Sequence, residues 1–181
     1  RFIATMLLKK IIKSSLKKFQ GIDIKNLSLD SRLVNKGDLF FALKGNKFNG
    51  EKFISSAIKK GASAVVCSNR FKSKNLKIPF IKVKDVKKTL SKACKNFFKK
   101  KPKNIIAVTG TNGKSSVADF FYQILSLNNI PVASIGTLGI KKNKKTKKID
   151  LTSPDIISLH RELNLIKKEG INNVIIEASS H

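Results

Sequence analysis

The sequence is short of cysteine, of arginine, of acid and of long apolar runs. Its two cysteines, Cys67 and Cys94, have no metal-type spacing and are too few for a disulfide framework. Cys67 follows the apolar run Ala64-Val65-Val66 and reads as a buried thiol in a reducing cytosol. No apolar stretch approaches the ~18 residues that a membrane-spanning helix needs. Residues 1–12 are mildly apolar, yet no small-residue cleavage site follows them as in a signal peptide. These absences point to a cytoplasmic protein with no membrane span. The chain opens on Arg1, so Met6 is a candidate start, with residues 1–5 belonging to an upstream reading or a fragment edge.

Acidic residues number 11 against 38 basic ones, a formal net charge of +27. Such a charge first suggests nucleic acid. All the basic residues except Arg1, Arg32, Arg70 and Arg161 are lysine, however, and readers of bases and phosphates favour the planar, bidentate arginine fork. The lysines are also dispersed beside many Asn and Ile, residue types with A/T-rich codons. A solvated basic surface, with some gain for anionic ligands, is the favoured reading over a nucleic-acid site.

A length of 181 residues predicts one or two domains, and 41% hydrophobic content suffices for a packed core. Apolar pairs alternate with lysine pairs over residues 6–19 at helical spacing. Residues 38–43 read as a strand. Residues 51–60 read as a helix with Phe53, Ile54, Ala57 and Ile58 inward, stopped by Gly61. Residues 64–67 and 79–83 are short strands. Asp85 then caps a helix reaching to about residue 99, with Val86, Leu90, Ala93, Cys94 and Phe97 on one face.

The charged, proline-broken stretch 99–104 suits a linker, which places a boundary near residue 100. Beyond it the pattern alternates strand and helix. Residues 105–108 form a continuous apolar strand of the kind a sheet covered on both faces requires. Residues 116–127 are helical, with Val117, Phe120, Phe121, Ile124 and Leu125 at helix spacing. Strands follow at 131–135 and 174–176, a basic loop or hairpin at 141–148, and a helix at 154–169 that ends before Gly170. The fold class is α/β: a small N-terminal domain, then the start of a doubly wound parallel sheet. No internal repeat is present. His160 falls on the last helix and reads as a surface residue.

The strongest chemical signal is Val108-Thr109-Gly110-Thr111-Asn112-Gly113-Lys114-Ser115-Ser116. It follows a buried-type strand and opens a helix, the context of a phosphate-binding loop. Glycines let backbone N–H groups approach phosphate oxygens, and the helix N-terminus adds partial positive charge. Lys114 would reach the β- and γ-phosphates, and the Ser115 hydroxyl would ligate Mg²⁺. The strict pattern wants glycine where Val108 stands, so the loop is a variant. The blander reading is a glycine-rich turn before an ordinary helix.

At these residues the chain resembles the Mur ligase family and its folate-ligase relatives. Leu29-Asp30-Ser31-Arg32, then residues 36–45 (Lys-Gly-Asp-Leu-Phe-Phe-Ala-Leu-Lys-Gly) and Asn49-Gly50, resemble the UDP-binding N-terminal domain of the MurE and MurF types. Ile135-Gly136-Thr137-Leu138-Gly139, Thr152-Ser153-Pro154-Asp155 and Glu177-Ala178-Ser179-Ser180-His181 are similar to the MurE type. The resemblance spans residues 24–181. It implies ATP and Mg²⁺ as cofactors and a cytoplasmic enzyme of peptidoglycan biosynthesis. Such an enzyme adds meso-diaminopimelate or lysine to UDP-N-acetylmuramoyl-L-alanyl-D-glutamate through an acyl phosphate.

The same resemblance assigns the residues. Gly110, Thr111, Asn112, Gly113, Lys114, Ser115 and Ser116 would bind ATP, with Lys114 catalytic. Leu29, Ser31, Asn46, Lys47 and Phe48 would contact the UDP-sugar, and Thr152, Ser153 and Ser179 the rest of the substrate. Ser115, Glu177 and His181 would hold the metal. Plainer readings stand beside these: Asp30-Ser31 as a turn, Ser153 before Pro154 as an ordinary helix cap, Glu177 as a salt-bridged strand end. Leu151 stands where the family commonly has Asn.

The resemblance further implies that residues 1–100 are the UDP-sugar domain and 101–181 the first part of a central ATP-binding domain. Full Mur ligases have three domains. The carbamylated lysine, the rest of the central sheet and the diamino-acid domain would lie elsewhere, so these residues alone are expected not to complete the ligation. A monomer that binds no nucleic acid is expected. The alternatives are a MurF-type ligase, a basic nucleic-acid-binding protein with a phosphate loop, and a non-catalytic UDP-sugar module.

Overall fold

A computed structural model describes residues 5–12, 21–45, 48–72, 78–137, 139–142, 145–147 (backbone only) and 155–178. The chain divides into two compact units, residues 1–97 and 98–181.

The first unit opens with strand β1 (Met6–Leu7), antiparallel to β2 (Asp23–Ile24), with the short helix α1 (Leu8–Ile11) between them. The helical spacing read over residues 6–19 is therefore overridden at its start: Met6 and Leu7 pair with Ile24 and Asp23 across strands, and Leu8, Ile11 and Ile12 are buried. Residues 13–19 lie outside the described residues. A four-stranded parallel sheet follows, in the order β3 (Asn26–Ser28), β4 (Asp38–Phe41), β5 (Ala64–Ser68), β6 (Phe80–Val83). Every residue of β4 is buried, as a parallel strand covered on both faces requires.

One face of this sheet carries Phe40, Val65 and Cys67 into a core with Val34, Ile54, Ala57 and Ala62. Alternation turns Leu39, Phe41, Ala64 and Val66 to the other face, and all four are buried. Residues 50–59 start as a 3-10 turn (Gly50–Phe53) before helix α2 (Ile54–Lys59). That tighter start rotates Phe53 out to 47% exposure, against its expected inward place. Helix α3 (Val86–Phe97) buries Leu90, Ala93 and Cys94, and Asp85 Oδ1 accepts from Lys88 N–H at 2.8 Å as its cap.

The second unit is a five-stranded mixed sheet in the order β10 (Lys145–Lys147), β9 (Gly139–Lys142), β8 (Val132–Gly136), β11 (Asn173–Glu177), β7 (Asn104–Val108). Strands β8, β11 and β7 run parallel, and β9 and β10 form the expected hairpin. Helix α5 (Ile156–Lys168) covers one face, its Leu163 and Ile166 against Ala133, Ile135 and Val174. Its cap is Asp155, whose Oδ1 accepts from Ile157 and Ser158 N–H; Ser153, the cap that the Ser-Pro pair suggested, lies outside the described residues. A carboxylate in that position satisfies two orphan amides and also favours the helix dipole.

Helix α4 (Lys114–Leu127) buries Ala118 and Tyr122. The stripe Val117, Phe120, Ile124 faces away and is 50–63% exposed, with Leu127 at 81%. Strand β7 is an edge, and Ile105 and Ile106 are about two-fifths exposed. The apolar spacing of both elements thus gave the right secondary structure while implying a cover on both faces that the described residues do not supply.

His160 is half-buried on α5 rather than on the open surface, and its Nδ1 is enclosed without a hydrogen-bond partner. Desolvation, and then the charge of Lys101, hold the imidazole below its ordinary value of 6.5. The unfolded chain takes up a proton through that value while the folded chain resists it. The neutral His160 contribution is therefore complete above pH 6.5 and is lost as pH falls below it. Urea denaturation at stepped pH should show stability declining from about pH 6.5 downward. His160→Gln should flatten that decline, and an unchanged slope in the variant would contradict the assignment.

Candidate functional site

Two clusters sit at the carboxyl ends of parallel strands, where ligands gather in α/β sheets. In the first unit, β3 leads into Leu29-Asp30-Ser31-Arg32 and β4 into the 42–50 turn. The Asp30 carboxylate is gripped by Arg32: Nε donates to Oδ1 at 3.0 Å, a terminal nitrogen to Oδ2 at 2.7 Å, and the Arg32 backbone N–H to Oδ1 at 2.9 Å. The Arg32 hydrogen bond is the main reason the Asp30 carboxyl lies below its usual range. Ser31 is buried behind this pair and Leu29 is half-buried.

The 42–50 turn is closed by backbone bonds. Gly45 N–H donates to Phe48 O at 2.8 Å and Gly50 N–H to Leu43 O at 2.7 Å. Phe48 is left 74% exposed at the rim, a large ring with one side available for stacking. Asn46 and Lys47, assigned to the same turn, lie outside the described residues.

In the second unit, Gly110 to Gly113 bridge β7 to α4. Gly113 holds φ +78° as the residue capping α4, a conformation that L side chains rarely adopt. Thr111, Asn112, Gly113, Ser115 and Ser116 are exposed. Lys114 is half-buried and folds back over the loop, its Nζ donating to Gly110 O at 2.5 Å and to Thr111 O at 3.3 Å. An ammonium poised above loop amides at the start of a helix is a place for a polyphosphate anion.

Glu177 ends β11 directly beside this loop, because β11 pairs with β7 in the register Glu177 opposite Val108. The Ser115 hydroxyl donates to Glu177 Oε2 at 2.9 Å, and the Thr137 hydroxyl approaches the same oxygen at 3.4 Å. Gly136 ends β8 next to it. The structure therefore brings together Gly110, Thr111, Asn112, Gly113, Lys114, Ser115 and Glu177. Thr152, Ser153, Ser179 and His181 lie outside the described residues. Sequence reasoning quoted Gly136 and Thr137 in a motif but gave them no role. A glycine ending a buried strand, followed by a hydroxyl, was the available signal.

Among the described residues no three His, Cys, Asp or Glu side chains cluster as a metal cage. One carboxylate and one hydroxyl, both hard oxygen donors, suit an ion that completes its shell with phosphate oxygens and water, as Mg²⁺ does.

Comparison with known proteins agrees with this layout. The Mur ligase family catalytic-domain profile matches residues 23–98, and the Mur ligase middle-domain profile matches residues 108–181. A UDP-N-acetylmuramoyl-L-alanyl-D-glutamate–2,6-diaminopimelate ligase of Bradyrhizobium diazoefficiens is 44% identical over 161 residues, covering 89% of this chain and 33% of that protein. The ligase of the same name from Rickettsia montanensis is 42% identical over 168 residues, covering 90% of this chain and 34% of that one. A solved structure of a ligase with this name superposes with a TM-score of 0.78 at 27% identity, covering 98% of this chain and 37% of that one. The chain thus spans about a third of the length of the curated relatives it matches.

The turn after β4 gives a steric prediction. A Cβ on Gly50 would fall 2.6 Å from Leu43 O and 2.8 Å from Leu43 N, both backbone atoms that cannot step aside. A Cβ on Gly45 would meet only Phe48 O, at 3.7 Å. Gly50→Ala should lower the stability of the first unit by about 1–3 kcal/mol, and Gly45→Ala by much less. Chemical denaturation of the two variants checks this, and equal effects would mean that the turn is not closed as described.

Proposed function

The chain belongs to the Mur ligase family, and from that premise we propose that it is part of a ligase that extends UDP-N-acetylmuramoyl-L-alanyl-D-glutamate by a third amino acid. Residues 1–100 are its sugar-nucleotide domain and residues 101–181 the first part of its ATP-binding domain. The names of relatives at 39–44% identity favour 2,6-diaminopimelate over lysine as that third residue. They also favour this reaction over that of the MurF type, whose solved structures resemble the chain at 19–24% identity, a likeness of fold alone.

In this reading a carboxylate of the terminal D-glutamyl residue attacks the γ-phosphorus of ATP. An oxygen–phosphorus bond forms, the bond to the bridging oxygen breaks, and ADP leaves. The amine of the diamino acid then attacks the acyl carbon, phosphate departs, and the nitrogen gives up a proton. Catalysis of this kind is mainly placement and charge neutralisation. The single observation that carries the reading is the meeting of Ser115 and Glu177 at 2.9 Å beside the Gly110–Gly113 loop. It puts a hydroxyl and a carboxylate beside the loop over which the Lys114 side chain folds.

Lys114 neutralises charge on the β- and γ-phosphates. Ser115 and Glu177 would hold Mg²⁺, with His181 as a further candidate ligand, and the ion when bound would offset phosphate charge. Leu29, Ser31, Asn46, Lys47 and Phe48 receive the UDP-sugar. Thr152, Ser153 and Ser179 hold the peptide end. The dispersed lysines are a solvated surface, and the working form is a cytoplasmic monomer.

Two measurements test this. Calorimetric titrations of the chain with Mg-ATP and with UDP-N-acetylmuramoyl-L-alanyl-D-glutamate should each show binding. Lys114→Ala should weaken the nucleotide titration by about tenfold to a hundredfold, the loss of one charge-assisted contact of ~1.5–3 kcal/mol, and leave the sugar titration unchanged. Undiminished nucleotide binding would remove the phosphate-loop assignment. Filter binding with duplex DNA and with RNA at ~150 mM salt should show no sub-micromolar affinity. Tight binding there would favour the nucleic-acid alternative instead.

A further inference from the structure

We infer that Gly136 and Thr137 are positioning residues for the Glu177 carboxylate: the bare Cα of Gly136 makes the space the carboxylate occupies, and the Thr137 hydroxyl fixes its rotation. The inference rests on the reading of Glu177 and Ser115 as the cation-holding pair and adds two residues to it.

The register of the sheet creates the situation. Strands β8 and β11 are parallel, with Ile135 opposite Ile176, so Gly136 and Glu177 are the next neighbours. Side chains alternate along each strand. Ala133, Ile135, Val174 and Ile176 point into the α5 core, so Gly136 and Glu177 share the other face, where α4 begins. There the Glu177 side chain lies across the Gly136 Cα. A Cβ at position 136 would stand 2.0 Å from Glu177 Oε1, 2.4 Å from its Cδ and 3.0 Å from its Cγ. No side chain fits there while the carboxylate stays.

What would yield is informative. The φ of Gly136 is not among the positive values of the chain, so alanine is conformationally ordinary there. The obstructing atoms are the far end of a flexible side chain rather than backbone. An added methyl therefore leaves the fold intact and displaces the carboxylate by rotation about the Glu177 side-chain torsions. The glycine is needed by the site and not by the strand.

Thr137 supplies the second constraint. The carboxylate has two oxygens, and both hydroxyls act on the same one: Ser115 at 2.9 Å from α4 and Thr137 at 3.4 Å from the end of β8. Oε2 is thereby tied to two elements, while Oε1 lies over Gly136. Losing the Thr137 hydroxyl frees one tether, and losing the glycine removes the seat.

The test uses the whole chain with Mn²⁺ as a spectroscopically visible cation and a non-hydrolysable ATP analogue. Free Mn²⁺ is read by electron paramagnetic resonance, and analogue binding is measured separately in EDTA. Gly136→Ala should weaken Mn²⁺ in the ternary complex by about tenfold or more, with metal-free analogue binding within about twofold of wild type. Thr137→Val should lose about threefold and Thr137→Ser should recover it. A general structural defect would instead lower metal-free binding and thermal stability together, and that outcome overturns the proposal. So does a Gly136→Ala chain with unchanged Mn²⁺ affinity. A wild-type chain that binds the analogue but gains nothing from Mn²⁺ overturns the cation reading underneath as well. The two failures are told apart by the wild-type titration.

Discussion

The register of β11 between β7 and β8 is the constraint on which the second unit depends. Parallel pairing on both sides puts Glu177 level with Val108 on one flank and beside Gly136 on the other. Val108 leads into the Gly110–Gly113 loop, so the ladder sets the distance from carboxylate to loop without any contact made by the loop itself. Ala178 N–H continues the pairing to Val108 O at 2.8 Å, which pins the strand end where it could otherwise fray. A one-residue slip would turn Glu177 into the apolar α5 face and Ile176 into the site. The burial of Val174 and the packing of Ile176 against the α5 core resist that slip.

A chain with 11 acidic residues and a net charge of +27 has few carboxylates to place, and the structure shows how they are placed. Asp85 and Asp155 accept helix N-terminal amides, and Glu51 accepts the Ser68 N–H at 3.1 Å. Asp30 holds Arg32, Asp119 holds Lys141 at 2.6 Å, and Glu169 holds Lys142. Glu177 differs: its hydrogen-bond partners among the described residues are two hydroxyls. Hydroxyls orient a carboxylate without neutralising it. In a protein with lysines throughout its surface, that is a selective arrangement, and it leaves the negative charge available to a cation.

The outward stripe of α4 and the edge position of β7 follow a different logic. An Ile-Ile-Ala-Val strand is the composition of a sheet interior, and Val117, Phe120 and Ile124 are spaced to be covered. Open apolar edges invite pairing with another strand. The lysine-rich surface opposes association of identical copies by charge repulsion, which moderates the exposure of this face.

Legibility in the sequence divides along the range of the interactions. The strand–loop–helix context of the Gly110–Gly113 run was readable because its signal is local: strand, glycines, Lys114-Ser115 and helix lie in one short run. Most strands and helices were readable from composition and periodicity for the same reason. Periodicity says that an element has an apolar face, not whether anything covers it, so Phe53, Phe120 and Ile105 were misplaced while their elements were right. The α5 cap fell to Asp155 because the oxygens of both Ser153 and Asp155, on either side of Pro154, suit a cap and only the backbone turn decides which one serves. Gly136 was invisible as a site residue because its role exists only once β8 and β11 are in register. A glycine's contribution there is an absence of atoms, and an absence has meaning only relative to the side chain that fills it. Residues that act by pairing across a sheet have to be read from the ladder, and in this chain the ladder makes the carboxylate and its seat into one unit.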